Sequence, residues 1–176
     1  MIHLVNMPFA SMIHPSLALG QFKAQLKEAG LESQVYNFNF DLAIKAGILN
    51  YELVAKSKGF NSQLGEWFFA KEAWGEEFGP SLQEFIDLCG GQIDTLEDIE
   101  DPVGWLAQVR TELVPAFLDE CCDRLFAQGP PQVVAFTCTF FQTVASLALA
   151  RRIKQRSPQT RVAFGGSCLH GEMGDE

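Results

Sequence analysis

Thr160-Arg161-Val162-Ala163-Phe164-Gly165-Gly166-Ser167-Cys168 decides the fold. A short apolar run passes directly into two adjacent glycines. In an open parallel sheet this is how a strand ends when its backbone must come close to a flat or phosphate-bearing ligand. Two further stretches have the same form, apolar strand and then small or polar loop. They are Val5-Asn6-Met7-Pro8-Phe9-Ala10-Ser11 and Val133-Val134-Ala135-Phe136-Thr137-Cys138-Thr139. Three such ends predict an α/β fold, a Rossmann-like or flavodoxin-like open parallel sheet with a ligand face at the strands' carboxyl ends. The chain stops at Glu176, before the last strands such a sheet usually has, so the expectation is a domain truncated at its C-terminus.

The first βαβ unit reads from His3-Met7 (strand) through Ser16-Ala29 (helix) to Ser33-Phe38 (strand). Leu19, Phe22, Leu26 and Ala29 recur at helical spacing and predict a buried stripe. Gly30 stops the helix. Roughly 90 residues then pass without a convincing strand, far beyond an ordinary crossover helix of about 10–15. Residues 39–130 are therefore read as a helical insertion within a frame formed by 1–38 and 131–176. Within it, Asp41-Leu53 fits one helix, and Gly65-Trp74 is dense in aromatics. Ser81-Leu88 is helical, and Asp94 or Thr95 can cap the acidic stretch. Asp101-Pro102 opens a long helix to about Phe126 that Pro115 should kink or split. The frame resumes with the strand Val133-Thr137, the helix Phe141-Arg156 and the strand Val162-Phe164.

Composition narrows the function. The 176 residues are 47% hydrophobic and 20% charged, a globular balance, and the net charge of −9 disfavours a nucleic-acid partner, which would call for a basic face. No apolar run reaches the roughly 18–20 residues of a membrane span, and no signal peptide precedes the first strand. The expected location is cytoplasmic. Five cysteines, Cys89, Cys121, Cys122, Cys138 and Cys168, fit no disulfide framework and form no CxxC pair.

The site candidates are positional. They are Pro8, Phe9 and Ser11 after the first strand, Thr137, Thr139 and Gln142 after the third, and Gly165, Gly166, Ser167 and Cys168 after the fourth. Ordinary βα turns would give the same pattern, so spacing alone leaves both readings open. GxGxxG, GxxxxGK[ST] and GxSxG are absent, so nicotinamide, nucleoside-triphosphate and hydrolase signatures are unsupported. His14 sits in the first loop, with no partner at metal-ligand spacing. No catalytic residue and no protein-held metal is expected.

Asn6-Met7-Pro8-Phe9-Ala10-Ser11 followed by Pro15-Ser16-Leu17-Ala18-Leu19-Gly20 resembles the start of cobalamin-binding domains in radical SAM enzymes. The resemblance is nearest to the radical SAM C-methyltransferases that mature ribosomally synthesised peptides. Gly65-Glu66-Trp67-Phe68-Phe69-Ala70, Val114-Pro115-Ala116-Phe117-Leu118 and Ser146 to Lys154 resemble further segments of that family, in the same order. So do Phe164-Gly165-Gly166 and Gly171-Glu172-Met173-Gly174. The resemblance implies a Rossmann-like domain that presents methylcobalamin to a following radical SAM barrel, with a precursor peptide as substrate. SAM and an iron–sulfur cluster would belong to that barrel, since no CxxxCxxC occurs in this chain. The DxHxxG motif that supplies a histidine ligand to cobalt is also missing, which implies cobalamin held without a protein imidazole. On this template Thr137, Thr139, Gly165 and Gly166 would line the corrin and its nucleotide tail first, then Ser11 and Gln142. Two alternatives stand beside it. One is a degenerate, non-catalytic module that binds a partner or precursor peptide through the insertion. The other is a flavin- or nucleotide-binding flavodoxin-like protein, for which the loop after the first strand is poor in hydroxyls.

Overall fold

The computed structural model describes residues 1–56, 63–75, 78–89, 99–139 and 141–169. The fold is α/β with a four-stranded, all-parallel open sheet of the Rossmann or flavodoxin-like kind. Strands β1 (Ile2–Asn6), β2 (Ser33–Asn37), β3 (Val133–Thr137) and β4 (Arg161–Gly165) stand in the order β2-β1-β3-β4. Helix α1 (Leu17–Glu28) links β1 to β2, and α8 (Thr143–Arg156) links β3 to β4. Between β2 and β3 every regular element among the described residues is helical: α2 (Phe38–Ala46), α3 (Ile48–Lys56), α4 (Leu64–Trp74), α5 (Leu82–Cys89), α6 (Pro102–Gln108) and α7 (Val114–Phe126).

The register divides the strand residues between two faces. Val5 lies beside Tyr36 and Phe136, and Phe136 beside Phe164, on one face. This face carries the core. Val5, Val134 and Phe136 pack there with Phe38 and Leu42 from α2, and with Phe68 and Phe69 from α4. Phe117 and Leu125 from α7 and Leu149 and Ile153 from α8 complete the cluster. Each such side chain contributes about 1.5–3 kcal/mol by leaving water. Arg152 of α8 reaches Glu72 on α4 and Asp119 on α7, both at 2.6 Å, and so binds three helices of this layer together. Leu4 lies beside Val35 and Ala135, and Ala135 beside Ala163, on the opposite face. Helix α1 lies against that face, beside β1 and β2.

Several expectations change here. The stripe on α1 is not buried as a whole: Leu19 is 4% exposed, but Phe22 is 54% exposed. Helix α1 spans only part of the open face, so the rest of its apolar stripe overlooks uncovered sheet. The Asp41-Leu53 helix is two helices, because Gly47 takes φ 88°, a left-handed conformation that interrupts α2 before α3. The helix from Pro102 to Phe126 stays continuous. A π-helical turn, Val109–Leu113, lies immediately before Pro115. Proline has no N–H and its ring crowds the carbonyl four residues back, and the wider turn accommodates both without a break. Helix α8 begins at Thr143 and not Phe141, because Phe141 has φ 68°. The acidic cap at Asp94 or Thr95 lies outside the described residues. Among the described residues no helix is long and apolar enough to cross a membrane.

Candidate functional site

In this strand order the chain passes from β1 to β2 on one side, and after β2 it returns across β1 to enter β3 on the other side. The carboxyl ends of β1 and β3 therefore flank the topological switch point, where open α/β sheets seat ligands. The protein's own side chains occupy much of that crevice. Phe9 is 4% exposed and turns under the rim, its ring 4.9 Å from that of Tyr51 and 6.2 Å from that of Phe68. Gly65 makes room for it: a Cβ there would stand 2.7 Å from Phe9 Cδ2. Tyr51 donates its hydroxyl to the Ala10 carbonyl at 2.8 Å, and the Phe9 N–H reaches the Phe141 carbonyl at 2.9 Å. Pro8 is buried with them.

Gln142 is buried and uses both ends of its amide. Nε2 donates to Asn6 Oδ1 at 2.7 Å and to the Met7 carbonyl at 2.8 Å. Oε1 accepts the backbone N–H and the hydroxyl of Thr139. Asn6 Nδ2 donates to Asn39 Oδ1 at 3.3 Å, and Asn39 reaches the Ser11 carbonyl at 3.5 Å. The result is a ladder of amides across the carboxyl ends of the sheet, from Thr139 through Gln142, Asn6 and Asn39 to Ser11. Buried amides demand this pairing, because each unmet donor or acceptor is costly. Pro8, Phe9 and Gln142 therefore shape the rim from inside, and their side chains are not open to a ligand. Ser11 is half-buried; its hydroxyl oxygen lies 3.0 Å from His14 Nδ1 and accepts the Ile13 N–H.

Below the rim, Glu66 of α4 accepts the N–H of Val144 at 3.0 Å. Burial pushes its carboxyl up, and the N–H groups of Val144 and Thr143 oppose that shift. Cys138 is fully buried, and burial likewise pushes its thiol up, with a hydrogen bond from Ser146 opposing. Both groups belong to the packed layer. Among the described residues no cluster of three or more His, Cys, Asp or Glu is placed to hold a metal ion.

The open side of the rim is built from the other candidates. Thr137 and Gly165 are register partners on the same face as Ala135 and Ala163. The two glycines differ. Gly166 has φ 121°, and a Cβ there would lie 2.1 Å from the Cys138 carbonyl oxygen. It is required for β4 to close onto the loop after β3, where the Cys138 N–H meets the Gly165 carbonyl at 2.6 Å. A Cβ on Gly165 would meet nothing within 4 Å. Its bare backbone leaves free space. Thr139, Ser167 and Gly166 are exposed along this lip.

From the lip a slot of about 300 Å³ descends between α1 and the open face. Leu19, Phe22 and Leu26 form one side, Leu4, Ala135 and Ala163 the floor, and Thr137, Gly165 and Gly166 the upper end. Of the residues the sequence offers as candidates, Thr137, Gly165 and Gly166 line this slot. The slot itself is not legible in the sequence, because the α1 residues that line it carry the same periodic signal as a buried helix face. Asn6 and Asn39 were also missed: nothing in the local sequence separates a strand-end asparagine that pairs 33 residues away from one that meets solvent. Gly171-Glu172-Met173-Gly174 lies outside the described residues. Comparison with protein families, with curated proteins and with solved structures gives no match.

Proposed function

We propose that this chain is a cobalamin-binding domain, which seats the corrin on the lip formed after β3 and β4 and inserts the nucleotide tail into the slot beneath it. The slot carries the reading. A flat macrocycle with a pendant base needs a shallow seat beside a narrow apolar shaft, and here both meet at Gly165. The fit is chemical as well as spatial. The lip offers the Ser167 hydroxyl, and the oxygen of Thr139 as an acceptor since its proton goes to Gln142, to the amide-bearing edge of a corrin, and the shaft offers aliphatic and aromatic carbon. No protein group need meet the cobalt, since the macrocycle supplies four nitrogens of its own.

When bound, methylcobalamin supplies a methyl group carried on cobalt. The chain's own work is to bind and orient. The Gln142 amide ladder fixes the height of the loops after β1 and β3. Gly166 holds the loops after β3 and β4 together, and Gly165 keeps the entrance clear. In the role the sequence resemblance implies, a radical SAM domain meets this lip from outside and acts on a precursor peptide. A second reading, a non-catalytic module that binds a peptide through its helical insertion, draws on Ile44 and Leu49, which are 71% and 77% exposed.

The test is retention of colour. The chain is mixed with hydroxocobalamin and desalted, and the visible spectrum is recorded. Corrin absorbance should remain with the wild type and fall sharply with Gly165→Val, whose side chain enters open space in the fold but blocks the entrance. A colourless wild-type protein at high ligand excess, or equal retention by Gly165→Val, would contradict the reading.

A further inference from the structure

We infer that the slot selects among corrinoids by the polarity of the tail base, admitting a base poor in hydrogen-bonding groups, such as 5,6-dimethylbenzimidazole, and excluding purines. The inference rests on the cobalamin reading and adds to it which cofactor the site takes.

Three observations carry it. First, the walls are carbon. Leu19, Phe22 and Leu26 of α1 face Leu4, Ala135 and Ala163 of the sheet, and none of these side chains donates or accepts a hydrogen bond. Second, the centre of the floor has no backbone groups to spare. β3 is bonded on both sides, to β1 and to β4, along its whole length, so its peptide groups beneath the slot are already paired; β4 pairs with β3 on one side, and the groups on its other side point outward in the plane of the sheet, not into the slot. Among the described residues Thr137 has the one hydroxyl in the lining, and it stands at the upper end, beside the lip. Third, the slot is small. At about 300 Å³ it lies at the bottom of the range for ligand pockets, too small for a macrocycle and suited to a single fused ring system.

A purine in this slot would bury an exocyclic amine and ring nitrogens with nothing to meet them. Burying such groups unpaired is expensive, whereas methyl groups on a benzimidazole gain from leaving water. Selection here works mainly by rejection: the pocket gives the wrong base no partner. The small side chains at positions 135 and 163 have a matching role, because they keep the floor flat enough for a planar ring to lie against it.

The test compares three corrinoids on the 176-residue chain by equilibrium dialysis with visible detection. They are cobalamin, the analogue with adenine as tail base, and cobinamide, which has no tail. Cobalamin should bind at least about tenfold more tightly than the adenine analogue, the ratio expected from one or two unmet polar groups. Cobinamide should also lose about tenfold or more, because it leaves the slot empty. Leu26→Asn places an amide in the wall and should narrow the gap between the adenine analogue and cobalamin. Ala163→Leu fills the floor and should narrow the gap between cobalamin and cobinamide. Ala163 is exposed on the edge strand, and circular dichroism of each variant checks that the fold is kept.

Equal affinity for all three corrinoids would overturn the slot's role while leaving the cobalamin reading standing. A cobinamide deficit without discrimination between the two bases would overturn selection by polarity alone. Binding of none of the three would overturn both the inference and the reading it rests on.

Discussion

The two faces of the sheet are made from the same four strands and differ in almost every other respect. On one, Val5 and Val134 are fully buried and Phe136 nearly so, beneath Phe68, Phe117 and Leu149 from three helices. On the other, Ala135 and Ala163 lie at the bottom of a slot, and the helix above it leaves Phe22 54% exposed. The contrast separates two uses of apolar surface. Large interlocking side chains give stability. Small residues beneath a partly covered helix give room. A side chain exchanged between these settings should reveal the division.

The largest effect should come from the packed face. Phe68→Ala removes a fully buried ring and should cost about 3–5 kcal/mol in urea unfolding. Phe22→Ala on the open face should cost less than about 1 kcal/mol, since its ring is already half in water. Equal costs would mean that the two faces are packed alike. Gln142→Leu comes next. It leaves Asn6, the Met7 carbonyl and Thr139 without their partner, at a cost of about 2–3 kcal/mol. A loss below half a kilocalorie would show that the amide ladder does not hold the rim.

The two glycines refine the comparison at single-residue scale. Gly166→Ala forces a Cβ against the Cys138 backbone at a left-handed φ and should cost about 1–3 kcal/mol. Gly165→Ala enters open space and should shift stability by no more than about 0.5 kcal/mol. Similar losses at both positions would remove the distinction between a glycine needed for the fold and one that keeps an entrance clear.

The smallest effect is electrostatic and belongs to the packed face. His3 is buried with no hydrogen-bond partner for Nδ1. Burial first, and the N-terminal ammonium second, hold its imidazolium below the usual histidine range. The neutral ring is thus favoured in the fold. Its contribution is present in full above about pH 6.5, the ordinary histidine value, and is lost as pH falls through the lower folded value. His3→Phe should flatten the stability profile below pH 6.5 while leaving the profile above pH 7 parallel to wild type. Parallel profiles throughout would place the acid sensitivity elsewhere.

Much of the frame was readable because its signals are local. The runs Val133-Thr137 and Val162-Phe164 announce strands, Ser16 caps α1 through the Leu19 N–H, and Gly165-Gly166 marks a strand end. The open slot was hidden because periodicity records which side of α1 is apolar and not how much sheet lies beneath it. Leu19, Phe22 and Leu26 gave one signal for two situations. The rim was hidden for a different reason. Gln142 bonds to Asn6 across 136 residues of sequence, and only the parallel register of β1 and β3 brings them together. Phe9 was assigned to the ligand face by position, whereas the space left by Gly65 in α4 draws its ring inward.

The most direct measurement is methyl NMR of the alanines as hydroxocobalamin is added. Ala18, Ala135 and Ala163 line the slot, whereas Ala43, Ala145 and Ala148 are fully buried in the packed layer. Shifts confined to the first three, saturating with the corrin absorbance, are the expected result. Bound corrin with those three methyls unmoved, or with the packed alanines moving instead, would contradict the seat described here.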